Sequence, residues 1–208
     1  MSAKGKVHRN ERIKISSIIP ISDVNGPGSH YTIWVQGCSL NCSGCFNPQT
    51  HNRDSGQERK ISELFQEIYR LWLENEIVGV TFTGGEPLQQ LGQISSLSEQ
   101  IKAQTNLGII ILTGYNPQEL QQLPNIQSII KNVDLIIAGR FVEEKKIQMG
   151  LKGSSNKKYL FTSDFYNSID LLNIPPIEVI YNSLGEVIVS GIEPDPALDA
   201  INSEFSPK

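Results

Sequence analysis

Hydrophobic residues along the chain form short apolar runs that alternate with helical repeats. Four runs predict strands over residues 31–36, 77–83, 108–113 and 133–138. Apolar positions spaced three and four apart predict helices over residues 62–75 and from 88 to 101, with short pieces at 117–123 and 126–131. Strands and helices in this order predict an α/β fold of mainly parallel strands joined by right-handed crossovers.

Each predicted strand ends in a glycine-containing turn, and some of these turns carry reactive side chains. The four turns are Gly37-Cys38, Gly84-Gly85-Glu86-Pro87, Gly114-Tyr115 and Gly139-Arg140. Parallel strands end at a common edge, and α/β sheets bind their ligands there. We therefore expect the first two turns to meet in space.

The C-terminal part of the chain has a different pattern. Residues 177–182 and 186–190 predict a β-hairpin around the sequence Ser183-Leu184-Gly185. We therefore expect a core domain over residues 14–170, followed by a hairpin and tail over residues 171–208.

Composition and charge argue against nucleic acid and membranes as partners of this chain. The 208 residues carry 18 Lys and Arg against 22 Asp and Glu, a net charge of −4. A mildly acidic chain lacks the basic surface that binds nucleic acid or anionic lipid. No apolar run approaches the roughly 20 residues of a membrane span, and the basic N-terminus lacks the apolar core of a signal peptide. These features predict a cytoplasmic protein with no nucleic-acid or membrane partner.

The chain has three cysteines, Cys38, Cys42 and Cys45, and all stand in one Cys-x3-Cys-x2-Cys loop. Clustered thiolates select zinc or an iron–sulfur cluster. Three sulfurs are one ligand short of a closed zinc site or a fully cysteinyl cubane. The fourth ligand is then either a histidine or an exogenous molecule. A histidine, with His30 and His51 as the candidates, would complete a non-enzymatic metal-binding module. An exogenous ligand would instead mark a reactive site.

The Gly-Gly-Glu turn favours the reactive alternative. Taken alone, Thr83-Gly-Gly-Glu-Pro87 is typical of a strand-to-helix turn. Two adjacent glycines also let a ligand lie against bare backbone, and a carboxylate beside them can accept from an ammonium group. With three thiolates at the same sheet edge, the turn predicts a binding site for a ligand that carries an amine.

The cysteine loop and the Gly-Gly-Glu-Pro turn one βα unit later resemble the radical S-adenosylmethionine superfamily. Within it, the chain is similar to the glycyl-radical-enzyme activases, and to those of anaerobic ribonucleotide reductase in particular, over about residues 14–162. The motifs that carry this similarity are Gly26-Pro-Gly28, Trp34-Val-Gln-Gly-Cys38, Cys42-Ser-Gly-Cys45-Phe-Asn-Pro48, Thr113-Gly-Tyr115, Gly139-Arg-Phe141 and Gly153-Ser-Ser-Asn156.

The resemblance implies a partial (β/α) barrel with a [4Fe-4S] cluster and S-adenosylmethionine as cosubstrate. Cys38, Cys42 and Cys45 would be the metal ligands, while Glu86 with the Gly84 and Gly85 backbone would bind the methionine amine. Gly44 and Phe46 would flank the adenosyl group, and Thr113 is a further contact. No catalytic side chain is expected outside these sites.

The implied reaction is reductive cleavage of S-adenosylmethionine to a 5′-deoxyadenosyl radical, which takes a hydrogen atom from a glycine of a partner enzyme. The partner would be the large chain of anaerobic ribonucleotide reductase, and the electron donor a small protein such as flavodoxin or ferredoxin. The alternative is a radical enzyme that modifies another protein or peptide. It is favoured by the C-terminal extension and by His30, which stands where the family commonly has an arginine at the partner-facing entrance.

Overall fold

The computed structural model describes residues 11–181 and 187–192. A seven-stranded sheet in the order β3-β1-β2-β4-β5-β6-β7 forms the centre, and β8 and β9 form a separate hairpin. The strands are β1 (Arg12–Ser22), β2 (His30–Val35), β3 (Gln57–Lys60), β4 (Gly79–Gly84), β5 (Gly108–Thr113), β6 (Leu135–Ala138), β7 (Lys158–Phe161), β8 (Ile177–Tyr181) and β9 (Val187–Gly191). The helices are α1 (Ile61–Leu73), α2 (Leu91–Gln104), α3 (Pro117–Gln122) and α4 (Gln127–Ile130), with a 3-10 turn at Pro87–Gln90.

The middle of the sheet confirms the predicted α/β class. Strands β2, β4, β5 and β6 are parallel neighbours, and they are the four strands predicted from apolar runs. Their side chains are buried on both faces, as in Val80 and Phe82 of β4, which is why their sequences read as continuous apolar runs. In the register of β2 and β4, Val35 lies opposite Gly84. The cysteine loop and the Gly-Gly-Glu turn therefore leave the sheet side by side.

Three antiparallel strands at the two ends of the sheet were not predicted. Strand β3 reads Gln-Glu-Arg-Lys and has no apolar signal, and β1 contains Pro20 near an irregularity in its pairing with β2. Proline inside a strand occurs at edges and bulges, where it weakens the sequence pattern. In the described part of the chain, β3 and β7 lie at opposite ends of the strand order. The structure thus bears out a mixed α/β sheet with a C-terminal hairpin, and it does not show closure into a barrel.

Side chains on the two faces of the sheet pack into two separate cores. Helices α1 and α2 place an apolar stripe, including Leu64 and Ile101, in the larger core. The smaller core joins Ile110 and Leu135 of the sheet to the segment that ends in Leu171 and Ile174. The first residues of the predicted C-terminal unit thus pack with the main sheet. None of the helices in the described ranges is long and apolar enough to cross a membrane.

His30 lies inside the fold and not at its entrance, contrary to the expectation from the family resemblance. Its side chain is fully buried, and its Nδ1 lies 2.8 Å from Thr81 Oγ1. The Thr81 hydroxyl donates its only hydrogen to the Asn25 carbonyl, so it accepts from His30 Nδ1–H. Nε2 then faces the Tyr166 hydroxyl at 3.4 Å. With both ring nitrogens engaged in the core, His30 is unsuited to be the fourth metal ligand.

This burial predicts a specific dependence of stability on pH. Desolvation lowers the pKa of His30 from 6.5 to about 3. Below about pH 6.5 the unfolded chain therefore binds a proton that the folded chain does not bind, and the free energy of unfolding falls towards acid pH. We expect the difference in unfolding free energy between wild type and His30→Gln to change by ~3 kcal/mol between about pH 7 and pH 4.

Urea unfolding of both proteins at several pH values measures this difference. Carboxylates titrate equally in the two proteins, so they cancel in the comparison. A difference that stays constant across the pH range would contradict a neutral, buried His30.

Candidate functional site

A pocket opens at the carboxyl edge of the parallel strands, where the sequence places the reactive turns. The space in it that no protein atom fills, open solvent included, is about 1120 Å³. The strand-end turns supply much of its wall, and the cysteine loop supplies the rest. Among the lining residues are Cys38, Cys42, Cys45, Phe46, Gly84, Gly85, Glu86, Thr113, Gly114, Gly139 and Gly153. The predicted meeting of the cysteine loop and the Gly-Gly-Glu turn is confirmed.

Backbone hydrogen bonds join these two motifs directly. The Gly85 N–H donates to the Val35 carbonyl and the Glu86 N–H donates to the Gly37 carbonyl, each at 2.9 Å. The backbones approach so closely that a Cβ on Gly85 would lie 2.5 Å from the Gly37 oxygen. Glycine is therefore required at position 85 for a packing reason.

The cysteine loop folds back over its own beginning. Gly37 N–H donates to the Thr50 carbonyl at 2.7 Å, and Cys38 N–H donates to the His51 carbonyl at 3.1 Å. Gly44 has φ +63°, so it lets the chain reverse between the second and third cysteines. All three thiols are free and half-buried.

The thiols lie close enough to influence one another. Burial raises the pKa of Cys38, a hydrogen bond from the Leu40 N–H opposes this, and the nearby Glu86, Cys42 and Cys45 raise it further. Burial also raises the pKa of Cys45, while the Asn47 N–H, 3.4 Å from its sulfur, acts to lower it. Metal binding here displaces thiol protons, and N–H···S contacts of this kind support sulfur ligands.

The chemistry of the three thiols suits an iron–sulfur cluster. Cysteine thiolates hold such clusters, and a fully cysteinyl cubane takes four of them. The loop brings three free thiols to one pocket, so a [4Fe-4S] cluster held by them would keep one iron for another ligand.

Glu86 is the most fully engaged polar residue of the pocket. Its side chain is 0 % exposed. One oxygen accepts from the Leu88 N–H at 3.0 Å and from the Thr113 hydroxyl at 2.7 Å, and the other accepts from the Gly114 N–H at 2.8 Å. Burial raises its pKa, while these hydrogen bonds act to lower it. A carboxylate has about four acceptor positions, and these hydrogen bonds use three of them.

Phe46 lines the pocket, whereas Gly44 does not. The Phe46 ring packs against Phe141, with centroids 4.4 Å apart, and it covers Gly153. Gly44 is exposed, and a Cβ there would lie 2.7 Å from the Glu143 carboxyl group. Of the residues predicted to flank an adenosyl group, only Phe46 is on the wall.

Arg140 has a structural role at the next turn along the sheet edge. Its guanidinium pairs with both oxygens of Glu119, at 2.8 and 2.9 Å, and it also donates to the Gly114 carbonyl. The same group lies over the Tyr115 ring. These contacts hold the Gly114 turn against α3, and Gly114 in turn donates to Glu86.

Two polar residues of the pocket belong to no family motif. Sequence patterns did not assign Lys157 to this site, and they offered His51 only as a possible fourth metal ligand. Lys157 lies just before β7, and its pKa is lowered by desolvation although Cys42, Glu86 and Cys45 act in the opposite direction. His51 lines the pocket, and its Nε2 is buried without a hydrogen-bond partner among the described residues. A buried orphan nitrogen beside three thiols is consistent with a polar ligand in the pocket.

Comparison with known proteins identifies the family. Residues 24–160 match the family described as 4Fe-4S single cluster domain. The chain is 32% identical over 153 residues to the anaerobic ribonucleoside-triphosphate reductase-activating protein of Enterobacteria phage T4. The matched region is 71% of this chain and 93% of that protein. The protein of the same name from Escherichia coli (strain K12) is 29% identical over 145 residues, covering 66% of this chain and 92% of that protein.

A relative with a different printed name matches a shorter region. The pyruvate formate-lyase-activating enzyme of Clostridium pasteurianum is 33% identical over 126 residues, which are 60% of this chain and 50% of that enzyme. The matches to both kinds of activating protein bear out the resemblance carried by the cysteine loop. The chain belongs to the 4Fe-4S single cluster domain family and is a member of the glycyl-radical-enzyme activases.

Proposed function

We propose that this enzyme binds S-adenosylmethionine beside its [4Fe-4S] cluster and uses it to generate a glycyl radical on a partner enzyme. The observation that supports this most strongly is the single pocket shared by three thiols and a buried carboxylate with an acceptor position left free. When bound and reduced, the cluster would supply one electron that breaks the bond between the sulfonium and the 5′ carbon, giving methionine and a 5′-deoxyadenosyl radical.

The protein's task in this reaction is to orient the cosubstrate and exclude competing chemistry. Cys38, Cys42 and Cys45 would hold three irons and leave the fourth to the amine and carboxylate of the methionine part. The remaining acceptor position of Glu86 suits the amine, because a charge-assisted hydrogen bond to a buried carboxylate is strong. Thr113 acts through Glu86, since its hydroxyl donates to the carboxylate.

The opposite wall suits the other parts of the cosubstrate. The Phe46 ring, held by Phe141, offers a flat apolar surface on which an adenine can stack. The Lys157 ammonium lines the same pocket and interacts electrostatically with Cys42, Glu86 and Cys45. We assign it to the cosubstrate carboxylate or to the negative charge of the cluster.

The proposed partner is an anaerobic ribonucleoside-triphosphate reductase. This assignment is supported by the T4 relative, 93% of which is covered by this chain. A flavodoxin or ferredoxin would deliver the electron. The second candidate is a different protein or peptide substrate, and the hairpin beyond the matched residues 24–160 favours it.

One incubation separates these candidates. Under anaerobic conditions the reconstituted enzyme is mixed with dithionite, S-adenosylmethionine and the large chain of the reductase encoded in the same genome. We expect 5′-deoxyadenosine in solution and a glycyl-radical doublet in electron paramagnetic resonance. If 5′-deoxyadenosine accumulates and the reductase stays free of radical, the cosubstrate chemistry stands and the reductase is not the partner.

A further inference from the structure

The C-terminal hairpin stands apart from the main sheet. Strands β8 and β9 pair with each other, and neither joins the seven-stranded sheet. Both lie beyond residues 24–160, the part of the chain that matches the family. A two-stranded hairpin is marginally stable alone, so its position depends on contacts with the rest of the protein.

Those contacts attach the hairpin to the loop between β1 and β2. The Ser22 hydroxyl donates to Glu178 Oε1 at 2.5 Å, and the Asp23 N–H donates to Glu178 Oε2 at 2.9 Å. The Asn25 side-chain amide donates to the Ser190 hydroxyl at 2.7 Å. Ser22 and Ser190 are buried. One face of the hairpin is thus fixed to the loop by three hydrogen bonds, two of them half-buried and one exposed.

The attached end of the hairpin is part of the pocket wall. Gly191 and Ile192 line the same pocket as the cysteines, next to Val24 and Asn25 of the loop. The bend that brings them there depends on glycine, because Gly191 has φ +127° and a Cβ would lie 2.1 Å from the Pro176 carbonyl oxygen. The hairpin therefore starts at the site where the radical would form and extends away from it.

The other face of the hairpin carries only apolar and aromatic side chains. Glu178 with Ser190 and Ile180 with Ile188 are the cross-strand pairs on the attached face, where Ile188 is 38 % exposed. The alternate pairs, Val179 with Val189 and Tyr181 with Val187, point the opposite way. Tyr181 is 68 % exposed, Val179 41 % and Val187 38 %. We call Val179, Tyr181, Val187 and Val189 the hairpin face. Exposed apolar surface of this kind marks a site of interaction.

We propose that the hairpin face is the docking surface for the glycine-bearing segment of the partner protein. This inference rests on the proposed function, which requires a protein segment to reach the pocket from outside. The hairpin face is continuous along β9 with Gly191 and Ile192 in the pocket wall. A segment whose glycine enters the pocket would lay its flanking residues on this face, which carries no charged side chain.

Continuity with the pocket also decides between this occupant and a second copy of the chain. The attached end of the hairpin belongs to the pocket wall, so a segment that enters the pocket meets the hairpin face directly, whereas a second copy of the chain has no such tie to the pocket. The face is therefore assigned to the substrate. Self-association is kept as an outcome of the test.

The test compares wild type with the double variant Tyr181→Ser, Val187→Ser. Leu73→Ser is the matched control, because Leu73 is 59 % exposed on α1. For each protein we measure the Kd for the reductase large chain, the radical yield at limiting reductase, S-adenosylmethionine cleavage without reductase, and the sedimentation coefficient. We expect the double variant to bind the reductase about tenfold more weakly or worse, as loss of an interface anchor does, with cleavage at the wild-type rate.

Each alternative outcome has a distinct meaning. A double variant that binds and activates the reductase like wild type and Leu73→Ser overturns the docking surface and leaves the proposed function intact. A wild-type dimer that the double variant converts to monomer assigns the face to a second copy and also overturns it. A wild type that forms no radical on the reductase overturns the proposed function, and the docking proposal with it.

Discussion

Replacing any one of Cys38, Cys42 and Cys45 with serine is expected to reduce S-adenosylmethionine cleavage to background. The three thiols line one pocket and are the only cysteines in the chain, so no other thiol can replace a lost ligand. Serine is a poor ligand for the soft irons of a cluster. We expect iron after anaerobic reconstitution to fall from about four per chain to a small fraction of that.

The matched control is Ser43→Ala, an exposed position of the same loop, which should keep full iron content and cleavage. Iron and sulfide analysis, visible absorbance and 5′-deoxyadenosine formation are measured on all four variants. A single serine variant that keeps both a full cluster and wild-type cleavage would show that this cysteine is not a required ligand.

The second large effect is expected at Glu86. Glu86→Gln keeps the shape of the side chain but removes the charge and places an amide group where the carboxylate accepts from Leu88, Thr113 or Gly114. Leaving one of these buried donors unpaired costs about 1–3 kcal/mol of unfolding free energy. Loss of the charge-assisted bond should weaken S-adenosylmethionine binding by about tenfold to a hundredfold, with cluster absorbance unchanged.

Glu74→Gln is the appropriate control because it removes a carboxylate that is remote from the site. Glu74 pairs with Arg70 at the surface and does not line the pocket, so its variant should bind S-adenosylmethionine as wild type does. Equilibrium binding and urea unfolding separate the two effects on Glu86→Gln. If that variant is destabilised but binds with wild-type affinity, the carboxylate serves only to hold the turn together.

The sequence was sufficient to predict the core of the site because its parts depend on local patterns and one topological rule. The cysteine spacing marks a metal site within a single loop, and the apolar runs before Gly37 and Gly84 identify parallel strands. Parallel strands end at one edge, which brings Cys38 and Glu86 into the same pocket. Neither inference needs knowledge of long-range packing.

Other residues of the site depend on contacts that no local pattern encodes. Lys157 reaches the pocket because β7 pairs antiparallel with β6, and β7, with only four residues, is too short to be recognised. His51, which the sequence offered only as a possible metal ligand, is there because the loop after the cysteines folds back onto Gly37 and Cys38. The position of His30 was misjudged for a similar reason, since its burial depends on partners from β4 and from Tyr166.

The most direct test of the central claim follows a hydrogen atom from the partner to the cosubstrate. The reductase is prepared with glycine deuterated at the α-carbon and is incubated anaerobically with the enzyme, dithionite and S-adenosylmethionine. The account predicts one deuterium in the methyl group of 5′-deoxyadenosine and loss of the α-hydrogen splitting from the radical signal. Formation of 5′-deoxyadenosine without deuterium, together with a reductase that carries no glycyl radical, would contradict it.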